Sequence, residues 1–146
     1  MKTVPRAAKW LGALGAIPFV VFATLSIIFD GLFQAQVWFA LVAYGAVILS
    51  FLGGIHWGLA IAEFGTRLDQ KPWRRLLISV LPSLIGWTAL MIPTVTGLLL
   101  MAAAFALMLW IDVTASYQNE APLWYPKLRW PLTLVVVSSL VVGALF

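Results

Sequence analysis

Cysteine is absent from the 146 residues, which excludes disulfides, thiolate metal sites, iron–sulfur ligation and cysteine nucleophiles together. Charge is almost as scarce. Only 10% of positions are Asp, Glu, Lys or Arg, against about a quarter in an ordinary soluble domain, and histidine occurs once, as His56. Glycine-rich phosphate loops, zinc-ligand motifs and the serine nucleophile elbow are all missing. No constellation for an enzyme acting alone is present, and the sequence reads as non-catalytic. What the chain has instead is apolar: 63% hydrophobic residues, eight tryptophans and a mean hydropathy of +1.03. That composition describes an integral membrane protein.

Five apolar runs organise the chain into a single all-α transmembrane bundle spanning residues 1–146, with helices expected at about 11–29, 37–62, 75–92, 97–115 and 131–146. The N-terminal run follows Lys2, Arg6 and Lys9, as in a signal peptide. It lacks an early small-residue cleavage site followed by a polar mature domain, so it reads as a retained helix. Pro18 should loosen it by freeing the carbonyl of Leu14. Ala8, Gly12 and Ala16 recur every four residues, a spacing that suits close helix packing.

Topology follows from the positive charges. All nine lysines and arginines fall at the N-terminal end, in the second connection (Arg67, Lys71, Arg74, Arg75) or in the fourth (Lys127, Arg129). The other two connections have none. The positive-inside rule then places the N terminus in the cytoplasm and the C terminus in the periplasm of a bacterial inner membrane. The net charge of +4 is accounted for by topology and lipid headgroups, so no nucleic-acid partner is indicated. The lipid bilayer is the first partner, with other membrane subunits or a second copy of the chain as the next.

The second helix carries the most informative stretch, Gly53-Gly54-Ile55-His56-Trp57-Gly58. Gly54 and Gly58, extended by Ser50 and Ala62, make a four-residue stripe that lets a neighbouring helix approach closely. The structural reading is packing within the bundle; the functional one is a homodimer or partner-subunit face. An ionisable ring inside a membrane helix needs a partner, so His56 should point inward. Counted from the cytoplasmic helix ends, it shares a level with Pro18, Pro82, Ser83, Met108 and Ser138. A hydroxyl or freed carbonyl on helix three or five should therefore satisfy it. A sharper alternative is ligand binding, to a quinone carbonyl or as an axial ligand to haem with Met101 or Met108 opposite. Trp57 beside it needs an acceptor for its N–H.

Acidic residues have structural readings. Glu63 and Arg67 are spaced as a surface ion pair on the cytoplasmic side. Asp112, near the end of helix four, can fix the following connection by pairing with Lys127 or Arg129.

Several of these motifs also carry a resemblance. Leu-Gly-x-x-Gly-x-Ile-Pro-Phe at 11–19, Leu-Ser-Phe-Leu-Gly-Gly-Ile-His-Trp-Gly at 49–58, Pro-Ser-Leu-Ile-Gly-Trp at 82–87, Asp112 and Trp-Tyr-x-x-Leu-Arg-x-x-Leu-Thr at 124–133 resemble a bacterial and mitochondrial membrane family of unknown function. That family includes the mitochondrial transmembrane protein 69. The resemblance implies a bacterial inner-membrane setting and carries no catalytic residues or cofactor with it. The leading functional expectation is a non-catalytic accessory or assembly subunit of a bioenergetic, respiratory-type membrane complex. A quinone- or haem-binding redox protein using His56 and a small transporter are the alternatives. Five unequal spans show no obvious repeat of the kind transporters usually carry.

Overall fold

The computed structural model describes residues 3–63 and 73–146. Five helices account for almost all of them: α1 (Arg6–Ile28), α2 (Gly31–Glu63), α3 (Trp73–Ala89), α4 (Thr94–Tyr117) and α5 (Tyr125–Leu145). No strand occurs among the described residues. Backbone polar groups cannot be left open in hydrocarbon, and helices satisfy them internally.

The helices form a closed ring in the order α3, α2, α1, α5, α4 and back to α3, with α2 and α4 also touching across the middle. Phe19, Leu41, Leu49, Leu98, Met101, Phe105 and Leu140 fill the interior. Phe19 is the hub, with Tyr44 and Phe105 set edge-on against it at centroid distances of 5.0 and 5.8 Å, a favoured aromatic geometry. Tyr44 also donates its hydroxyl to the Gly15 carbonyl at 2.9 Å, tying α2 to α1 one turn before Pro18.

Four helices, α1, α2, α4 and α5, are long and apolar enough to cross a membrane. At 17 residues, α3 is about 26 Å long and falls slightly short of a 30 Å core. Its apolar part is confined between Arg75 and the turn that precedes Pro93.

Helix ends differ from expectation where polar residues or prolines stand near them. α2 starts at Gly31, six residues before the expected position, and its 33 residues make a rod of about 50 Å. Gln34 lies inside that helix because its amide has targets there: it donates to the Ser26 carbonyl at 2.9 Å and to the Phe146 carbonyl at 2.6 Å. α5 starts at Tyr125 rather than 131. Pro126, not Pro131, occupies the first turn, where a missing N–H costs nothing, and Pro131 is carried inside the helix.

The α4–α5 connection is closed by a Schellman turn. Asn119 takes the left-handed conformation at φ 58°, its N–H donates to the Ser116 carbonyl at 3.3 Å, and that of Glu120 donates to Ala115 at 2.8 Å, which satisfies the last carbonyls of α4. The turn sets Glu120 against Arg75, 2.7 Å from Nη2 to Oε2, so the start of α3 and the end of α4 meet at one end of the bundle.

Candidate functional site

Three helices, α2, α4 and α5, each send one polar side chain to the same buried point. Asp112 of α4 is fully buried. Its Oδ1 lies 2.8 Å from Nε2 of His56 on α2, and its Oδ2 lies 2.6 Å from Nε of Arg129 on α5. Both flanking residues are themselves buried, His56 at 3% and Arg129 at 6% exposure. An ionised carboxylate only accepts, so Nε2 of the imidazole carries the proton and donates it. The triad is thus a clasp in which one acid is held by a guanidinium on one side and an imidazole on the other. Ser116 adds a third hydrogen bond, within α4, by donating to the Asp112 backbone carbonyl at 3.1 Å.

The helical repeat of α5 extends the polar site. Tyr125, Arg129 and Thr133 recur every four residues on one buried face. The Tyr125 hydroxyl faces the Asp112 carboxylate and interacts with it by charge and as a weak donor, short of the geometry of a full hydrogen bond. Among the described residues, Tyr125 Oη, Arg129 Nη2 and Thr133 Oγ1 are buried without a hydrogen-bond partner. Three such atoms within two turns are unusual, because buried polar groups are nearly always paired.

Beside this cluster lies a cavity of about 380 Å³, walled by α1, α2, α4 and α5 and bounded at its polar end by Tyr125 and Arg129. Elsewhere its lining is apolar and partly aromatic, with Phe19, Phe51, Phe105 and Trp124 among the wall residues. His56 is not on the wall.

Several residues singled out from sequence have other surroundings than expected. His56 does face inward, but its partner is Asp112 of α4, not helix three or five. The count along the chain matched it to Met108, one turn short of Asp112; that α4 runs on to Tyr117, two residues past the expected end, accounts for half of the difference. Ser138 is exposed, Ser83 is half-buried, and the buried serine on that stretch of α5 is Ser139. Pro82 is buried against Gly53. Gly53 is the packing glycine of α2: a Cβ there would run into the backbone carbonyl of Ser79.

Gly54 and Gly58, by contrast, have nothing within 4 Å of the position a Cβ would take, and both are exposed. Their stripe therefore packs against no other described part of this chain. Trp57 is 46% exposed beside it and lies on the bundle's outside. Asp112 and Arg129 are paired as one of the two expected options, although deep in the protein and not at a surface. Lys127 is exposed. Arg67 lies outside the described residues, as does the side chain of Glu63.

An axial haem ligand does not fit this geometry. The Nε2 of His56 is taken up by Asp112, its ring is off the cavity wall, and Met101 and Met108 are buried in the core. Tyr125 and Thr133 stand in the 124–133 motif, but sequence reasoning did not single them out as site residues. Their signal is the four-residue spacing with Arg129, which gains meaning once α5 is started at Tyr125.

A family model described as a protein of unknown function, DUF3429, matches residues 4–145. The chain belongs to that family. It is 41% identical over 146 residues to transmembrane protein 69 of Xenopus tropicalis, covering 97% of this chain and 54% of the relative. Against transmembrane protein 69 of Mus musculus the identity is 30% over 139 residues, covering 94% and 55%. The chain therefore spans about half the length of the curated relatives it matches. No solved structure matches it. With several long apolar helices and relatives named as transmembrane proteins, this DUF3429 chain is a multi-pass membrane protein in contact with the lipid bilayer.

Proposed function

We propose that the chain is a non-catalytic accessory or assembly subunit of a larger membrane complex, of the bioenergetic, respiratory type, and that it docks through the outer face of α2. The observation that carries this reading is the open stripe of Gly54 and Gly58, flanked by exposed Trp57. A helix gains nothing from such a surface when lipid covers it, because small residues contribute through close backbone approach to another helix. Short connections between the described helices leave little of the chain to act outside the bilayer. The respiratory setting rests on the mitochondrial kinship implied by the sequence motifs.

Purification from native membranes tests the proposal. Respiratory-complex subunits should co-purify with the wild-type chain and be lost from Gly58→Leu, whose folded stability should be unchanged or raised by up to about 1 kcal/mol because the site is open. A chain that purifies alone, or co-purifies identically in both forms, rules the proposal out. A homodimer would show as a doubled mass with no foreign subunit.

The orientation belongs to the same reading: N terminus in the cytoplasm of a bacterial inner membrane, with α3 completing the membrane bundle. Since the chain has no cysteine, single cysteines can report it directly. Introduced at Gln34 and at Gln118, they should react with an impermeant thiol reagent from opposite sides. Labelling from one side only overturns the arrangement.

A further inference from the structure

We propose that the cavity between α1, α2, α4 and α5 holds one acyl chain of an anionic phospholipid, whose phosphate is met by Arg6 and Lys9 at the start of α1. The inference goes beyond the docking reading and uses none of its residues.

The cavity is continuous with the surface that meets lipid. Leu11 of α1 and Phe51 of α2 line it and are also 70% and 66% exposed, so it opens on the outside of the bundle between those two helices. From there it runs inward to the core residues Phe19 and Phe105. The first helix leaves the room: Gly15 is on the wall, and a Cβ there meets nothing within 4 Å.

The walls select a plain hydrocarbon. The two polar side chains on them, Tyr125 and Arg129, are committed to Asp112: Tyr125 Oη faces the carboxylate, Arg129 Nε is bonded to it at 2.6 Å, and Oη and Nη2 are themselves buried. Water gains little in such a space, because apolar cavities stay dry, while leaving it empty costs the lining its dispersion contacts. In a bilayer the nearest filling is an acyl chain. A helix of a partner protein is too large, since a single turn about 10 Å across and about 5.4 Å high occupies roughly 400 Å³. That exceeds the whole cavity, at about 380 Å³.

Charge selects the headgroup. The cavity reaches Ala8 in the first turn of α1, and Arg6 and Lys9 stand exposed in that same turn. Neither has an ion-pair partner among the described residues: Asp112 is taken by His56 and Arg129, Glu120 by Arg75, and Asp30 lies past the far end of α1. Long basic side chains keep their charged heads at the interface while their stems follow apolar surface, and there each attracts anionic lipid. A phosphodiester with a net negative charge supplies the partner they lack.

Lipid counting by native mass spectrometry tests both halves of the site. The full chain, purified in detergent and stripped of lipid, would be titrated with dioleoyl phosphatidylglycerol and separately with dioleoyl phosphatidylcholine. One phosphatidylglycerol per chain should bind ahead of any other, and phosphatidylcholine more weakly. Gly15→Leu, which fills the cavity without a clash, should abolish that first binding step. Arg6→Gln and Lys9→Gln should each weaken phosphatidylglycerol roughly fivefold, the scale of one basic residue at a membrane surface, and leave phosphatidylcholine unchanged. Equal phosphatidylglycerol binding in wild type and Gly15→Leu would overturn the proposal, as would equal affinity of the wild type for the two lipids. Should Gly15→Leu prove unstable, the two basic variants decide the matter, because they lie on an exposed turn; unchanged affinity in both overturns it.

Discussion

Asp112→Asn should destabilise the folded bundle by about 3 to 5 kcal/mol, the scale for removing one partner from a buried ion pair. The change keeps the side chain's shape, so the loss is electrostatic. Arg129, 6% exposed and already short of a partner at Nη2, would be left with its charge uncompensated in a low-dielectric interior. The double substitution Asp112→Leu with Arg129→Met should recover most of the loss, because apolar side chains of similar volume can replace a buried pair at little net cost. His56→Leu should cost less, about 1 to 3 kcal/mol, since it withdraws one hydrogen bond from the carboxylate and leaves the guanidinium in place. His56→Gln, which keeps a donor, should cost less again. Reversible unfolding in mixed micelles measures all four. Equal losses in Asp112→Asn and in the double substitution would show that the pair is not coupled.

The clasp explains which parts of the site could be read from the chain alone. That an isolated histidine in a membrane helix must have a partner follows from the cost of a bare polar group in hydrocarbon, and His56 is indeed buried. That Asp112 could meet Arg129 follows from their opposite charges on either side of one short connection. What joined the two observations, the level at which α2, α4 and α5 overlap, depends on helix ends. Those ends were set by Pro126 and by the Asn119 turn, neither of which stands out in an apolar sequence. Starting α5 at Pro131 placed Arg129 in a connection at the membrane surface; six further residues of helix bring it inside, one turn from Tyr125. The number of helices was the more robust inference, because long apolar runs separated by charge or turn residues need no such detail.

The glycines show the same limit, and they provide the sharpest contrast available in this fold. Gly53→Ala should destabilise the bundle by about 3 kcal/mol, at the upper end for overpacking a close contact, whereas Gly54→Ala should be neutral or stabilising by up to about 1 kcal/mol, as expected where only helix propensity changes. The two residues are adjacent in sequence and equally small. They differ because a helix turns by about 100° per residue: Gly53 points at α3, where the Ser79 carbonyl occupies the space a methyl group would need and the Pro82 ring is 3.4 Å away, while Gly54 points away from every described residue. Neither obstacle can give way easily. Ser79 is held by its own helix, and its hydroxyl donates to the Leu76 carbonyl. Gly86 repeats the device from the other side, with the Ala46 backbone 3.0 Å from where its Cβ would be, so α2 and α3 approach through one glycine from each. Gly86→Ala should therefore behave like Gly53→Ala. Thermal unfolding of the three variants in one detergent measures the contrast, and similar midpoints for Gly53→Ala and Gly54→Ala would mean that α3 does not pack on α2 through this face. If the contrast holds, the bundle needs a small residue at Gly53 and not at Gly54, and any demand for small residues at Gly54 and Gly58 must come from a neighbour outside the described residues.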